Sequence, residues 1–425
     1  MGVLQRPSCS SNSKHQQQPH SQDHHHLHSE SSSLSSQPSL PSVPSLTPPQ
    51  NHHQPPQTTT HHRLLATVKA HTSPISALTL HAKSLFSASS DGQVKTCSRD
   101  PFTLQTSDTN NNVVVASTTA PIKSLIVHND VLFTAHQDHK IRVWKTDDNQ
   151  SQNYKCIATL PTLHDRISKL FSSKNYVKIR RHKKRTWVHH VDAVSALALS
   201  QDNSLLYSAS WDRTFKVWRT SDFKCLDSVQ NAHDDAINAL IVSQNGVVYT
   251  GSADTKIKMW KKQEEEGDEK MKSQKHFLLG TLEKHRSAVN ALALSGNGSV
   301  LYSGACDRSI LVWESDGGSE GMVVVGALRG HTKAILCLVA VGDLVCSGSA
   351  DKSVRVWRRG VEEKGYSCLA VLEGHRRPVK CLAMAVDSFN MGSGPHQDDA
   401  NTTSYLVYSG GLDCDINVWQ IRLPS

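Results

Sequence analysis

The stretch from Tyr207 to Trp218, YSASWDRTFKVW, contains the pattern that decides the fold. It has a hydroxyl at Ser208, an aspartate four residues later at Asp212, and a tryptophan six residues after that at Trp218. Short apolar runs on either side of Asp212 predict two strands joined by a tight turn. A single stretch of this kind does not identify a fold, so the fold prediction depends on whether the same spacing recurs along the chain.

The spacing Ser/Thr-x-x-x-Asp-x-x-x-x-x-Trp recurs through the chain. The aspartates are Asp91, Asp138, Asp212, Asp254, Asp307, Asp351 and Asp413. The hydroxyls are Ser87, Thr134, Ser208, Thr250, Ser303, Ser347 and Ser409. The tryptophans are Trp144, Trp218, Trp260, Trp313, Trp357 and Trp419, and the first copy has Cys97 instead. The histidines that precede the hydroxyls are His71, His190, His233, His285, His331 and His375, whereas the second copy has Thr118 at that place. Repetition at this period predicts a repeat architecture.

Each copy also predicts four short antiparallel strands. Residues 64–420 resemble the WD40-repeat family, because pairs such as Gly330-His331 and endings such as Val356-Trp357 match its Gly-His and Trp-Asp signatures, although no copy ends in a literal Trp-Asp. The resemblance implies an all-β fold, a seven-bladed β-propeller. We expect the strand near Leu64–Lys69 to pair with the last blade, which would close the ring and cover both sheet edges.

Composition divides the chain into a tail and a propeller. Residues 1–62 are rich in Ser, Gln, His and Pro, which predicts a disordered tail, and the propeller spans 63–421. The predicted blade-core repeats cover about 64–100, 118–147, 186–220, 225–262, 277–315, 323–359 and 367–421. A long insertion, 161–189, is expected on the top face, the face that carries the aspartate turns. Within it, the spacing of Leu163 to Phe171 predicts a short helix that packs Ile167 on the propeller.

Ser, His and Asp in every repeat could suggest a hydrolase, but a catalytic triad is a single site with one exposed nucleophile. We interpret these residues as a structural network in which the tryptophan donates to the hydroxyl, the hydroxyl to the histidine and the histidine to the aspartate. The ten cysteines include no Cys-x-x-Cys pair. The sequence predicts no catalytic residue, cofactor or metal site, and no enzyme.

The sharpest charged feature is the run KIRRHKKR, which contains Lys178, Arg180, Arg181, Lys183, Lys184 and Arg185. Three interpretations remain open: a solvated face of an ordered loop, a nuclear-import or partner-docking segment, and a patch for nucleic acid or anionic lipid. Aromatic residues are sparse around the run, which weakens the case for stacking on single strands. The net charge of +8 is mild for 425 residues.

The predicted top face combines one aromatic residue with charges of both signs. Trp211, directly before a turn aspartate, is either an interface anchor or packs beneath the insertion. The acidic candidates for partner binding are Asp192, Asp234 and Asp235, in blades 3 and 4. The basic candidates, in blades 5 to 7, are Arg286, Lys333, Arg376 and Arg377. This charge division favours a partner of complementary charge.

The favoured function is a non-enzymatic scaffold that binds proteins or peptides on the top face. Nucleic acid or anionic lipid binding through 178–185 is the alternative, and a ubiquitin-ligase substrate receptor is a third, although no repeat ends in Trp-Asp-x-Arg. Two sequence segments resemble the plant Jingubang-type WD40 subfamily: YVKIRRHKKRTWVHHVDAVSALALS and SASWDRTFKVWR. That resemblance implies a plant regulatory protein of cytoplasm and nucleus, in pollen or other development. No membrane span and no oligomeric state are predicted.

Overall fold

The computed structural model describes residues 43–47, 60–101, 103, 113–146, 154–169, 176–180, 183–263, 275–315, 321–360, 365–387 and 402–424, with the side chains of 176–185 outside the description. Strand β1 (His61–Val68) is the first strand of the described residues. In the part of the chain described, seven four-stranded antiparallel sheets and one separate hairpin account for the strands. No helix of the described residues is long and apolar enough to cross a membrane.

The first four sheets follow one another along the chain, and each runs from its innermost to its outermost strand. The first contains β2 (Ile75–His81), β3 (Ser84–Ser89), β4 (Gln93–Ser98) and β5 (Val113–Ser117). The second contains β6 (Ile122–His128), β7 (Val131–His136), β8 (Ile141–Thr146) and β9 (Tyr154–Leu160). After helix α1 (Leu163–Ser168) come β10 (Tyr176–Arg180) and β11 (Lys183–Thr186). The third contains β12 (Val194–Leu199), β13 (Leu205–Ser210), β14 (Phe215–Arg219) and β15 (Cys225–Val229). The fourth contains β16 (Ile237–Val242), β17 (Val248–Ser252), β18 (Ile257–Lys262) and β19 (His276–Leu282).

The last three sheets complete the ring. The fifth contains β20 (Val289–Leu294), β21 (Val300–Ala305), β22 (Ile310–Ser315) and β23 (Met322–Leu328). The sixth contains β24 (Ile335–Val341), β25 (Leu344–Ser349), β26 (Ser353–Arg359) and β27 (Tyr366–Glu373). The seventh contains β28 (Val379–Val386), β29 (Thr402–Gly411), β30 (Ile416–Pro424) and β1. Each innermost strand contacts the innermost strand of the next sheet, and β28 contacts β2. The predicted seven-bladed, all-β propeller is therefore confirmed.

Closure of the ring depends on β1, which pairs antiparallel with β30. Leu64 lies opposite Trp419 and Val68 opposite Ile416, and the Thr67 hydroxyl donates to Asn417 Oδ1 over 2.8 Å. This pairing confirms the predicted closure. The strand starts three residues earlier than expected, at His61, so the predicted boundary at residue 62 is wrong by two residues.

The predicted disorder of the whole 1–62 tail is also wrong for one internal segment. Residues 44–47 lie along β23, where Leu46 N–H donates to the Ala327 carbonyl over 2.9 Å. Backbone hydrogen bonds and the apolar Leu46 side chain hold the segment, which composition averaged over 62 residues does not reveal. Residues 1–42 and 48–59 lie outside the described residues.

The predicted repeats are offset from the blades by one strand. The repeat at 225–262, for example, begins with β15, which pairs with β14 and is the outer strand of the third blade. The later repeats share this offset, because the outer strand of each blade precedes the histidine of the next one. Consecutive repeats are thus linked through a shared sheet.

The insertion at 161–189 is not confined to the top face, so that prediction is wrong. Its helix α1 packs through Asp165, which is buried and accepts the backbone N–H of Cys225 over 2.9 Å. Cys225 pairs with Trp218, at the end of the third blade opposite the aspartate turn. Ile167, expected to face the propeller, is 54% exposed. An unpaired edge N–H that needed an acceptor decided this packing rather than the apolar side of the helix.

Alternate residues of each strand pack between adjacent blades. Phe133 and Val143 of the second blade form one cluster with Leu197 and Trp218 of the third. Trp218 and Trp357 are among the largest fully buried side chains. Truncating such a tryptophan leaves a cavity that typically costs about 3–5 kcal/mol, so blade-to-blade packing accounts for much of the stability.

The seven aspartate turns share one backbone geometry. The residue directly after each aspartate has a left-handed conformation, with φ between 68° and 79°. These residues are Gly92, His139, Arg213, Thr255, Arg308, Lys352 and Cys414. In each turn, Oδ1 of the aspartate accepts the N–H two residues ahead, as Asp212 does from Thr214 over 3.0 Å. The aspartate thereby stabilises a left-handed backbone conformation that most residues with a side chain disfavour.

We predict opposite effects at one turn position in two blades. Gly92→Ala will lower the thermal midpoint, because a Cβ at Gly92 would collide with the Thr118 carbonyl oxygen. Thr255→Gly will raise the thermal midpoint, because a β-branched residue is strained at φ 73°. The free energy of unfolding will rise by up to about 1 kcal/mol. Thermal unfolding of both variants beside the wild type measures the two signs. A lower midpoint for Thr255→Gly would contradict the strain argument.

Candidate interaction face and the network beneath it

A hydrogen-bonded chain of four side chains lies inside the third blade. Trp218 Nε1–H donates to Ser208 Oγ over 2.9 Å, and the Ser208 hydroxyl donates to His190 Nε2 over 2.9 Å. His190 Nδ1–H in turn donates to Asp212 Oδ2 over 3.1 Å. These partners set the histidine tautomer, because the indole can only donate and the carboxylate can only accept. The chain connects the tryptophan end of the blade to the top-face turn.

The electrostatics of this network favour a neutral histidine beside an ionised aspartate. Burial lowers the pKa of His190, so the imidazole stays neutral at pH 7. Burial alone would raise the pKa of the Asp212 carboxyl, but interactions with His190, Lys216 and Thr214 more than offset this and lower it. Ser208 is fully buried and its oxygen already accepts the indole N–H. This serine is placed to satisfy its neighbours and is not exposed to solvent.

The same contacts recur in blades 4 to 7. There the tryptophan-to-hydroxyl distances are 2.8 to 2.9 Å, for Trp260, Trp313, Trp357 and Trp419. The histidine-to-hydroxyl distances are 2.8 Å, for His233, His285, His331 and His375. The histidine-to-aspartate distances are 2.8 to 3.1 Å, for Asp254, Asp307, Asp351 and Asp413. In the first blade His71 contacts Ser87 and Asp91 at 2.9 and 3.1 Å, and Cys97 replaces the tryptophan.

The second blade supplies its histidine from a place that sequence reasoning missed. His136, two residues after Thr134, has Nε2 2.7 Å from the Thr134 hydroxyl and Nδ1 3.2 Å from the Ala120 carbonyl. Trp144 donates to the same hydroxyl over 2.8 Å. The signal was a histidine on the strand itself, in the one copy that lacks the preceding histidine. Asp138, left without a histidine, pairs with both terminal nitrogens of Arg142.

The loops of the top face carry the charges predicted for them. Asp192, Asp234 and Asp235 are exposed on blades 3 and 4. Arg286, Lys333, Arg376 and Arg377 are exposed on blades 5 to 7. Arg376 forms an ion pair with Asp415 over 2.9 Å, and the negative charge of that carboxylate partly offsets the positive charge of Arg376.

Trp211 is half-buried at the inner edge of this face. Its ring lies beneath the Lys123 ammonium, whose Nζ is 5.4 Å from the ring centroid, a cation–π contact. Lys123 is the second residue of β6, and Lys380 holds the same place on β28. Burial lowers the pKa of Lys123, and the positive charge of Lys380 lowers it further. The structure therefore places Trp211 beneath Lys123, whose charge interacts with that of Lys380, and the sequence analysis selected neither lysine.

Position along the innermost strand could have revealed these lysines. In blades 3 to 5 the same place holds polar residues that bridge to the next innermost strand: Ser195 donates to the Ile237 carbonyl, and Asn238 to the Val289 carbonyl. At the same place in blades 2 and 7, Lys123 and Lys380 add positive charge beside the central channel.

The basic run lies in the hairpin of β10 and β11, and its three interpretations stay predictions, because the side chains of the run lie outside the described residues. Lys178 lies opposite Lys184, and Arg180 opposite Lys183. Arg185 lies opposite Val177. Arg181 lies outside the described residues. The run belongs to the insertion between blades 2 and 3.

The WD domain, G-beta repeat profile of the WD40 family matches residues 62–96, 181–219, 223–261, 277–314, 322–358 and 366–420, which together exceed half of the chain. The chain belongs to the WD40 family. The six matched segments leave out the second blade, where His136 replaces the usual WD40 histidine.

Two relatives each match a segment of this chain, and the match spans little more than a third of the length of one and less than a fifth of the other. Protein ROOT INITIATION DEFECTIVE 3 of Arabidopsis thaliana is 31% identical over 173 residues, which cover 36% of this chain and 36% of that protein. Striatin-3 of Rattus norvegicus is 33% identical over 141 residues, which cover 31% of this chain and 18% of that protein. The crystal structure of the WD40 β-propeller domain of Doa1 matches with a TM-score of 0.58 and 19% identity, over 84% of this chain and 96% of that one. This last likeness shows the fold.

We predict that the buried hydroxyl matters most where a tryptophan donates to it. Ser208→Ala orphans two buried groups, Trp218 Nε1–H and His190 Nε2, at a cost of roughly 2–4 kcal/mol. The matched change Ser87→Ala orphans only the ring nitrogen of His71 among these groups and will cost roughly half as much. Denaturant unfolding of the two variants gives the comparison. Equal losses would contradict the assigned role of the indole donor.

His136 should make stability depend on pH. Burial, followed by the positive charge of Arg142, lowers its pKa from 6.5 to about 4. The unfolded chain therefore binds the proton more readily than the folded chain does. The stability that depends on a neutral His136 is fully present above pH 6.5 and is lost as pH falls toward 4. Between pH 7.5 and pH 5 the loss is roughly 2 kcal/mol.

The measurement is denaturant unfolding of wild type and His136→Gln at both pH values, since glutamine keeps a donor and an acceptor but does not titrate. The difference between the two proteins will shrink by roughly that amount at pH 5. The control is His164→Gln, on the exposed side of α1. A difference that does not change with pH would show that His136 is not held neutral.

Proposed function

We propose that this protein is a non-enzymatic scaffold that binds a protein partner at the mouth of the channel on its top face. The observation that supports the proposal best is the group formed by Trp211, Lys123 and Lys380. A half-buried tryptophan combined with partly desolvated positive charge is typical of an interface anchor. Two nearby lysines favour a partner that presents a carboxylate or another anionic group.

The charge division of the rim gives the partner an orientation. Asp192, Asp234 and Asp235 are exposed on one side of the ring, and Lys333 and Arg377 on the other. A partner with charges of both signs would bind in one rotational setting and associate faster at low salt. The large blade-to-blade core beneath the loops keeps their positions fixed, so little ordering cost falls on binding.

The finer biology belongs to the same proposal. The sequence similarity of residues 176–200 to the Jingubang-type subfamily supports the proposal that this is a plant regulatory protein. The partial match to a protein of Arabidopsis thaliana is compatible with a plant source. We propose that it acts in cytoplasm and nucleus, in pollen or other developmental control, by contact with other proteins.

Affinity purification of the full chain tests the proposal. Trp211→Ala and the pair Lys123→Ala with Lys380→Ala should each lose the specific partners of the wild type, because a hot-spot truncation weakens binding by about 2 kcal/mol, or about thirtyfold. Lys224→Ala is the matched control, since Lys224 is an exposed lysine at the opposite end of the third blade. It should keep every partner.

Two outcomes would contradict the proposal. One is recovery of the same partners from Trp211→Ala and from the lysine pair, with unchanged thermal midpoints. The other is loss of bound material only in Lys183→Glu with Lys184→Glu, together with RNA that leaves at moderate salt, which would favour nucleic-acid binding instead.

A further inference from the structure

The segment Pro44–Thr47 extends the outer edge of the fifth blade. Leu46 N–H donates to the Ala327 carbonyl, and Ala327 N–H donates to the Pro44 carbonyl, both over 2.9 Å. Ser45 and Ala327 form a parallel bridge. Strand β23 is the outermost strand of its sheet, so these are backbone groups that no strand of the blade itself satisfies. Peptides bind other sheets by this same addition to an edge.

The side chain of Leu46 occupies a gap left by Gly326. A Cβ atom on Gly326 would overlap Leu46 Cγ and both Cδ atoms, which are the three nearest heavy atoms to that position. Leu46 packs against the cluster that contains Tyr302, Val312 and Tyr366. The gap is lined by blades 5 and 6, and the leucine fits it because the strand residue has no side chain of its own.

A comparison with the junction of blades 3 and 4 shows what the segment replaces. There Asp227 pairs with Val217, and in the fifth blade Gly326 pairs with Val312; each partner directly precedes its tryptophan. Asp227 accepts the backbone N–H of His276, the first residue of β19, over 2.8 Å.

The corresponding N–H at the junction of blades 5 and 6 belongs to Tyr366, the first residue of β27. Gly326 has no carboxylate to accept it, and the Leu46 carbonyl accepts it instead over 2.9 Å. The segment 44–47 thus supplies both the apolar side chain that fills the gap at Gly326 and the carbonyl that accepts the Tyr366 N–H.

We propose that this seat, defined by Gly326, Ala327 and Tyr366, is a binding site for an extended Pro-Ser-Leu-Thr segment, and that residues 44–47 occupy it as an exchangeable ligand tethered in the same chain. The contact involves four residues, and the residues that form the seat all belong to the blades. Tethering gives the segment an effective concentration of about millimolar, which keeps a weak contact filled. This proposal does not depend on the top-face function.

The tail contains the same tripeptide twice, as Pro38-Ser39-Leu40 and Pro44-Ser45-Leu46. Changing only Leu46 would let the first copy replace the second. The emptied protein is therefore the full chain with Leu40→Asp and Leu46→Asp.

The test measures binding of a fluorescent peptide of sequence SVPSLTPP, residues 42–49, by anisotropy. The emptied protein should bind it at least about tenfold more tightly than the wild type, whose seat is already filled. A peptide with aspartate in place of leucine should not bind. Adding Gly326→Ala to the emptied protein should abolish binding, because the new methyl group occupies the position of the leucine side chain.

Gly280→Ala is the matched control, since Gly280 pairs with Met259, the residue before Trp260, and holds the corresponding place in the fourth blade. A Cβ there would meet only Met259 Cε, at 3.4 Å. Added to the emptied protein, it should leave peptide binding unchanged.

Hydrogen exchange provides a second readout that needs no added peptide. The amides of Ala327 and Tyr366 should exchange faster in Gly326→Ala and in the emptied protein than in the wild type, and at the wild-type rate in Gly280→Ala. Equal peptide binding by wild type and emptied protein, or unchanged exchange at both amides, would overturn the proposal. If Gly326→Ala failed to fold, the emptied protein and the aspartate peptide would still decide the question.

Discussion

The fold depends on a buried hydroxyl group repeated once in every blade. In six blades this oxygen accepts an indole N–H, and in all seven it contacts a histidine nitrogen. A hydroxyl suits this place because it can accept one hydrogen bond and donate another. Removing it would orphan groups that blade packing has already taken out of water, so the apolar core and the polar network stabilise each other.

The aspartate at the end of each chain of hydrogen bonds also shapes the surface. One carboxylate oxygen of Asp212 faces His190, and the other accepts a backbone N–H and holds a left-handed turn. The residue before the aspartate is carried to the rim, which is how Trp211 reaches the mouth of the channel. Asp212 thus has two roles. It completes the buried hydrogen-bond network of its blade, and its turn sets the position of Trp211 in the candidate interaction site.

The fold was predictable because its cause is a spacing within one blade, repeated seven times. What escaped prediction depends on contacts between distant parts of the chain. Helix α1 was expected to pack through Ile167, but Asp165 met an edge N–H sixty residues away. His136 works from a different strand position because a ring nitrogen can reach the same hydroxyl from two directions. The charges of Lys123 and Lys380 interact only because the ring brings blades 2 and 7 to either side of the first blade. Leu46 has no periodic pattern, and its place is decided by a glycine far along the chain.

The closing strand also governs how this protein would aggregate. Strand β30 reads INVWQIRLP, an apolar sequence with a single charge, and β1 covers its whole edge from Ile416 to Arg422. Detachment of β1 would uncover the edge of β30, which could pair with the same edge of another molecule. In the folded protein β1 therefore protects this edge from association, and conditions that weaken its pairing should favour insoluble assemblies before the blades themselves lose their packing.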